Sequence, residues 1–138
     1  MRFLMKLFAA ILLVAANDAS ARGIEPGQWR ITTTMSSPML SGSQTTTSTQ
    51  CVTREDLKDP RRAIDRRLQS DCRTVSLVQN GNTYTWEVRC KIARMSNKGT
   101  LRRGRGTMAG ESRTTANVFG QKLDVSTKIF AKRLGPCT

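Results

Sequence analysis

Polar and apolar residues alternate along most of the chain from Gln28 onwards, in short runs separated by Gly, Pro, Ser and Asn. In the first run Trp29, Ile31 and Met35 fall on one face of an extended strand, whereas Arg30 falls on the other. Because successive side chains of a strand point to opposite sides, this period of two predicts half-buried strands. The pattern as a whole favours an antiparallel sheet.

A second strand and a helix in two pieces are predicted next. Residues 44–52 are rich in threonine, which suits a half-exposed pleated surface. Thr53 can cap a first helical turn with Asp56 three residues later, and Asp59 can cap a second helix with Pro60 at its first position. The second helix has an apolar stripe formed by Ala63, Ile64 and Leu68.

The clearest local signal is a hairpin between Cys72 and Cys90, with the Asn-Gly pair at residues 80–81 in its turn. A two-residue turn pairs the apolar residues of the two strands but leaves the cysteines one residue out of register. A three-residue loop at 80–82 places the cysteines opposite each other but sets a serine against Trp86. One β-bulge would reconcile the two registers.

Three later segments, 99–108, 112–119 and 122–133, also alternate, and we expect turns at residues 109–111 and 120–121. This makes about seven strands. The predicted fold is therefore mainly β: an antiparallel sheet of about seven strands, curved or partly closed as a barrel, with one short helix and disulfide staples.

The first 21 residues have the composition of a secretory leader. Arg2 and Lys6 precede an apolar run from Leu7 to Ala16, and Ala19-Ser20-Ala21 forms a small-x-small cleavage site. The run is well short of the roughly twenty residues that a membrane-spanning helix needs. We predict a signal peptide at 1–21, a single domain at 22–138, no transmembrane segment after cleavage, and a periplasmic or secreted location.

Four cysteines in an oxidising compartment predict two disulfides, for which three pairings are possible. Cys72 and Cys90 lie at the open end of one hairpin, so we expect that bond. If the last strand runs antiparallel to the first, Cys137 arrives beside Cys51, and we expect the second bond there. Because the chain has no histidine and no C-x-x-C pair, we expect no metal and no cofactor.

The charge of the chain is strongly positive. Its formal value is +13, and loss of two positive and one negative residue with the leader lowers it to +12. Such a charge serves solubility and also favours anionic partners, for which we consider an anionic envelope lipid, lipopolysaccharide or an acidic protein. Nucleic acid is disfavoured because the tryptophans and the tyrosine occupy alternating positions typical of a core. The candidate anion-binding or partner-binding residues are Arg61, Arg62, Arg66, Arg67, Arg102, Arg103 and Arg105.

Ordered motifs extend over nearly the whole predicted domain. They are Pro26-Gly27-Gln28-Trp29, Cys51-Val52-Thr53-Arg54-Glu55-Asp56-Leu57, Cys72 with Asn80-Gly81-Asn82-Thr83, Trp86-Glu87-Val88-Arg89-Cys90, and Arg133-Leu134-Gly135-Pro136-Cys137. In these motifs the sequence resembles the DUF3617 family, which comprises small exported bacterial proteins with no assigned function. Members of that family often carry methionine-rich stretches, whereas the methionines here are scattered, which argues against a thioether copper site.

An enzyme is disfavoured, because the chain lacks histidine and shows no combination of a nucleophile with a base. The acids Glu55, Asp56, Asp59 and Asp65 have the spacing of helix caps and local ion pairs. We therefore predict a non-enzymatic domain that acts by binding or by an envelope-associated interaction through a basic surface. The alternative is a β-barrel-like carrier whose interior holds a small apolar ligand.

Overall fold

The computed structural model describes residues 24–138, so the predicted leader at 1–21 lies outside the described residues. The strands are β1 (Gly27–Ser36), β2 (Gln44–Val52), β3 (Cys72–Asn80), β4 (Thr83–Cys90), β5 (Ser96–Arg103), β6 (Thr107–Val118) and β7 (Gln121–Gly135). The helices are α1 (Arg54–Lys58) and α2 (Pro60–Arg67), and a short 3₁₀ turn covers Ile92–Arg94. All seven strands form one antiparallel sheet in the order β2-β1-β7-β6-β5-β4-β3.

One face of the sheet forms the core, as the alternation in the sequence predicted. Trp29 and Ile31 of β1 are buried there, together with Trp86 of β4 and Leu101 of β5. Trp86 Nε1 donates a hydrogen bond of 2.7 Å to Asn97 Oδ1, so the one polar atom of its ring is satisfied inside the core. The Trp86 ring packs directly on the backbone of Gly99, since a Cβ built on this glycine would lie 2.0 Å from the ring.

The sheet is not closed, so the expectation of a partly closed barrel is wrong. Strands β2 and β3 are its two edges. β2 ends beside Gly27, whereas β3 begins at the opposite end of the sheet, and the helical segment crosses the core face between them. Pro60, Ala63 and Ile64 of α2 are buried in that position. The chain thus covers its core with a helix where a barrel would pair its first and last strands.

The predicted helix is present as two separate helices, each capped as expected. Thr53 and Asp56 form a capping box on α1, with Thr53 Oγ1 accepting from the Asp56 N–H. Asp59 caps α2 by accepting from the Arg62 N–H at 3.2 Å, and Pro60 follows at the first helical position. Local capping chemistry therefore determined both helix starts.

The β3–β4 hairpin contains a β-bulge. Cys72 lies opposite Cys90, Leu77 lies opposite Trp86, and the register shifts between Thr74 and Ser76. The connecting residues are Gly81 and Asn82, one position later than the Asn-Gly pair. A bulge is present as expected, and the cysteines lie opposite each other, but the pairing near the turn matches neither predicted register because the turn lies one residue later.

The predicted turn at residues 109–111 is wrong. These residues lie inside β6, and the reversal between β5 and β6 lies at residues 104–106. Gly110 sits opposite Leu101, and a Cβ built on it would lie 2.0 Å from the carbonyl oxygen of Thr100. This glycine therefore permits close approach of the neighbouring strand, which a sequence pattern does not distinguish from a turn.

Both expected disulfides are confirmed. Cys51 bonds to Cys137 with a Cα separation of 5.6 Å, and Cys72 bonds to Cys90 with a Cα separation of 4.0 Å. The first bond joins the ends of β2 and β7, on either side of β1, and the second closes the open end of the β3–β4 hairpin. Two such bonds are typical of a non-cytoplasmic, oxidising compartment. None of the described helices is long and apolar enough to cross a membrane.

Candidate functional site

Two of the four candidate arginines on α2 are engaged in structural contacts. Arg61 Nη2 donates to the carbonyl oxygen of Thr74 at 2.6 Å. Arg67, also a candidate anion-binding residue, is partly buried, and its Nη2 atom donates to Asp56 Oδ2 at 3.1 Å. Arg62 and Arg66 are exposed to solvent. The helix thus presents a smaller basic surface than its sequence predicted.

The contact between Arg67 and Asp56 also affects ionisation. Partial burial by itself raises the pKa of Asp56, but hydrogen bonds from Arg67 and Thr53 outweigh burial and hold that pKa below its ordinary value. Asp56 therefore stays charged while it links α1 to the last turn of α2. This ion pair stabilises the helical segment. Because Arg67 is already paired with Asp56, it is unsuited to binding an external anion.

The candidate arginines near the β5–β6 turn do not form one cluster. Arg102 lies on the exposed face of the sheet, whereas Arg103 lies in the next position and therefore on the core side. Arg103 Nη2 donates to Asn82 Oδ1 at 3.2 Å. Arg103 and Arg105 line a cavity of about 530 Å³ at the rim of the core, with Trp29 among its other walls.

The face of the sheet opposite the core carries a group of cations around an exposed aromatic ring. Its members, which we call the basic sheet face, are Arg30, Lys128, Phe130, Lys132 and Arg102. Phe130 is 49% exposed and lies between the two lysines on β7, with Cα separations of roughly 7 Å. Across the sheet, Phe130 pairs with Ala109, which pairs with Arg102, so Arg102 lies about 10 Å away.

Two of these cations lie directly opposite each other. Arg30 of β1 and Lys132 of β7 are register partners, and both are exposed. Like charges in this arrangement destabilise a sheet. Two other cations on the same face are paired with carboxylates: Arg113 forms a bidentate pair with Asp124, and Arg89 Nε donates to Glu87 Oε1 at 2.9 Å. Within residues 24–138, no ion pair joins the four cations of the basic sheet face to a carboxylate.

A shallow trough runs beside the basic sheet face. It consists of two adjoining depressions of about 610 and 540 Å³, which share Thr100, Glu111 and Lys128 as lining residues. Arg102 lines one depression and Arg113 lines the other. Short side chains on the middle strands and longer charged side chains around them create this shape, which leaves threonine hydroxyls, lysine ammonium groups and the Glu111 carboxylate open to a polar ligand.

Asp71, Cys72 and Cys90 bring potential metal-ligand atoms within 4.8 Å of one another. The two sulfur atoms are joined in a disulfide, so neither is a thiolate. Asp71 Oδ2 accepts a hydrogen bond from the Ile92 N–H at 3.1 Å, which secures the 3₁₀ turn. The disulfide and the 3₁₀ turn therefore account for the closeness of these three residues.

Comparison with known proteins identifies the family. The model of a family described as a protein of unknown function (DUF3617) matches residues 24–137. The chain belongs to the DUF3617 family. The match spans all seven strands of this DUF3617 protein and both disulfides. No curated protein and no solved structure matches the chain.

Sequence reasoning included only Arg102 among the five residues of the basic sheet face. The predicted site rested on arginines that are clustered along the chain, but these arginines are separated in the folded structure. The useful signal was Phe130, an aromatic residue at a position of β7 that the alternation assigns to the polar face, with a lysine two residues away on either side. The contribution of Arg30 depends on the pairing of β1 with β7, which has no local signature.

Proposed function

We propose that this protein is an exported, periplasmic or secreted, non-enzymatic domain that docks onto the anionic headgroup layer of a lipid membrane through the basic sheet face. The observation that carries the proposal is the direct opposition of Arg30 and Lys132 beside a half-exposed Phe130. This arrangement is unfavourable for the isolated domain, and a layer of phosphate groups would remove the repulsion.

The energies involved are sufficient for reversible docking. Each lysine or arginine near an anionic membrane surface contributes about 1 kcal/mol, and Glu111 opposite Lys128 offsets one of the four cations, so the face contributes about 3 kcal/mol. Phe130 adds an apolar ring that can enter the headgroup region, with the lysines on either side reaching phosphates. All five side chains share one face, so they can contact a planar surface at the same time.

Two alternatives have less support. A carrier for an apolar ligand needs an apolar cavity, whereas the cavity at the rim of the core is lined by Arg103 and Arg105 beside Trp29. The core side chains Tyr84, Trp86, Leu101 and Met108 are at most 2% exposed. An acidic protein could bind the same cations, but binding through charge alone would not require the exposed ring of Phe130. Docking to a lipid surface uses both the charge and the aromatic residue.

The test is sedimentation of the oxidised, exported protein with vesicles of phosphatidylglycerol and phosphatidylcholine, compared with vesicles of phosphatidylcholine alone, across a salt series. The decisive variant is Arg30→Gln with Lys132→Gln. It removes two cations that repel each other, so the fold should be as stable as before or slightly more stable. Loss of about 2 kcal/mol should weaken binding to the anionic vesicles by roughly 30-fold.

The matched control is Arg62→Gln with Arg66→Gln, which removes the same charge from exposed positions on α2. This control should weaken binding by much less than the sheet variant, and Phe130→Ser should weaken binding even at low salt. Equal losses in the two double variants would show that only net charge matters. Equal binding to neutral and anionic vesicles, or no binding at low salt, would refute docking to an anionic lipid surface.

A further inference from the structure

The two edges of the sheet are built differently. On the β3 edge, side chains of α2 occupy the backbone groups of Thr74: Asp65 Oδ1 accepts from the Thr74 N–H at 3.1 Å, and Arg61 donates to the Thr74 carbonyl oxygen. The same strand carries a bulge and the charged residue Arg73. A covering helix, a bulge and charged side chains are usual means by which proteins protect an edge strand from pairing with another chain.

The β2 edge shows none of these features. Its nine residues, Gln44–Val52, include no charged residue, proline or glycine. Its pairing with β1 runs without a register shift from Gly27 opposite Val52 to Met35 opposite Gln44. Among residues 24–138, no strand pairs with the outer side of β2. Since alternate residues of an edge strand direct their N–H and C=O groups away from the sheet, β2 presents a row of donors and acceptors.

The sequence of β2 is nearly symmetric about its centre. It reads Gln-Thr-Thr-Thr-Ser-Thr-Gln from residue 44 to residue 50, with Thr47 in the middle. If two copies align antiparallel about a two-fold axis at Thr47, Gln44 lies opposite Gln50, Thr45 opposite Thr49 and Thr46 opposite Ser48. Every cross-strand pair then joins similar polar residues, and threonine pairs of this kind are favourable.

We propose that β2 is a self-association edge, through which two copies of the chain join their sheets into one continuous antiparallel sheet with two-fold symmetry. An isologous contact needs a self-complementary segment, and the near-palindrome supplies one. No like charges lie opposite each other in this seven-residue window, so the contact needs no counter-charge. A single strand pair buries less than the roughly 1,200 Å² of a stable complex, so the dimer is weak and concentration-dependent.

The charge of the two copies determines the salt dependence. Each copy carries a large positive charge, and the contact itself carries none, so added salt screens only the repulsion and strengthens the dimer. An acidic peptide added to the same edge would show the opposite behaviour, because salt would weaken its attraction to the protein. Salt therefore separates the second copy from an anionic partner.

The test is sedimentation equilibrium of the oxidised, exported protein over a concentration series at low and high salt. We expect dimers that increase with concentration and with salt. Thr47→Lys places two lysines opposite each other at the symmetry axis and should weaken the dimer by about tenfold or more. The matched control is Thr85→Lys, which adds the same charge at an exposed position of the interior strand β4 and should leave most of the dimer intact.

A second measurement tests the register. Thr47→Cys should form an intermolecular disulfide across the axis, because residue 47 faces its own counterpart, whereas Thr45→Cys should crosslink much more slowly. A protein that remains monomeric at high salt and high concentration overturns the proposal. So does a dimer that Thr47→Lys leaves unchanged, a dimer that salt dissolves, or equal crosslinking at positions 45 and 47.

Discussion

Removal of the Asp65 carboxylate should destabilise the β3 edge, because this side chain holds Thr74 of β3. Asp65 Oδ1 accepts two hydrogen bonds from Thr74, one from the N–H at 3.1 Å and one from Oγ1 at 2.8 Å. Thr74 is only 3% exposed. In Asp65→Ala both donors lose their acceptor, and each buried donor left unsatisfied costs about 1–3 kcal/mol.

We expect a net loss of about 2–3 kcal/mol in the free energy of unfolding for Asp65→Ala. The value lies in the lower half of the range, because the exposed position of Asp65 lets water reach part of the site. Helix propensity favours alanine over aspartate by somewhat less than 1 kcal/mol, so this contribution has the opposite sign. For a domain of this size the loss corresponds to a fall in Tm of roughly 10 °C.

The assay is urea unfolding of the oxidised protein followed by tryptophan fluorescence, since Trp29 and Trp86 are both buried. The matched control is Asp65→Asn, which keeps an oxygen acceptor at the same place and should cost about 1 kcal/mol or less. A loss below about 0.5 kcal/mol in Asp65→Ala would refute the reasoning. An equal loss in the asparagine variant would show that the charge, rather than the accepted hydrogen bonds, holds the edge.

Two further outcomes are expected from the core and from the helical segment. Gly99→Ala should be strongly destabilising, by about 3 kcal/mol, because its Cβ would lie 2.0 Å from the Trp86 ring, and a near-normal urea midpoint would contradict this. The pKa of Asp56 is lower in the folded protein than in the unfolded chain, so the stability from its pairing with Arg67 is present above about pH 4 and is lost as pH falls through the folded pKa. Unfolding curves of Asp56→Asn should therefore change less with pH between about 5 and 2 than those of the parent protein, and an unchanged pH dependence would argue against the pairing.

Local patterns in the sequence were sufficient for several parts of this structure. The alternation in β1 and β7 identified the buried residues, because the strand period of two is a property of the backbone. Thr53 and Asp59 marked the helix starts, because a cap is made within three residues of chain. The hairpin ends located one disulfide, and the antiparallel order of the first and last strands located the other.

Tertiary structure decided the features that depend on which strands are neighbours. The sequence pattern assigned Gly110 to a turn. In the structure a glycine is needed there because the Thr100 carbonyl of the neighbouring strand lies too close for a side chain. The arginines at 102 and 103 are adjacent in the chain but lie on opposite faces, while Arg30 and Lys132 are remote in the chain but lie side by side. Only the strand order shows these relations, because pairing between distant strands is selected by the packing of the whole sheet rather than by any local sequence preference.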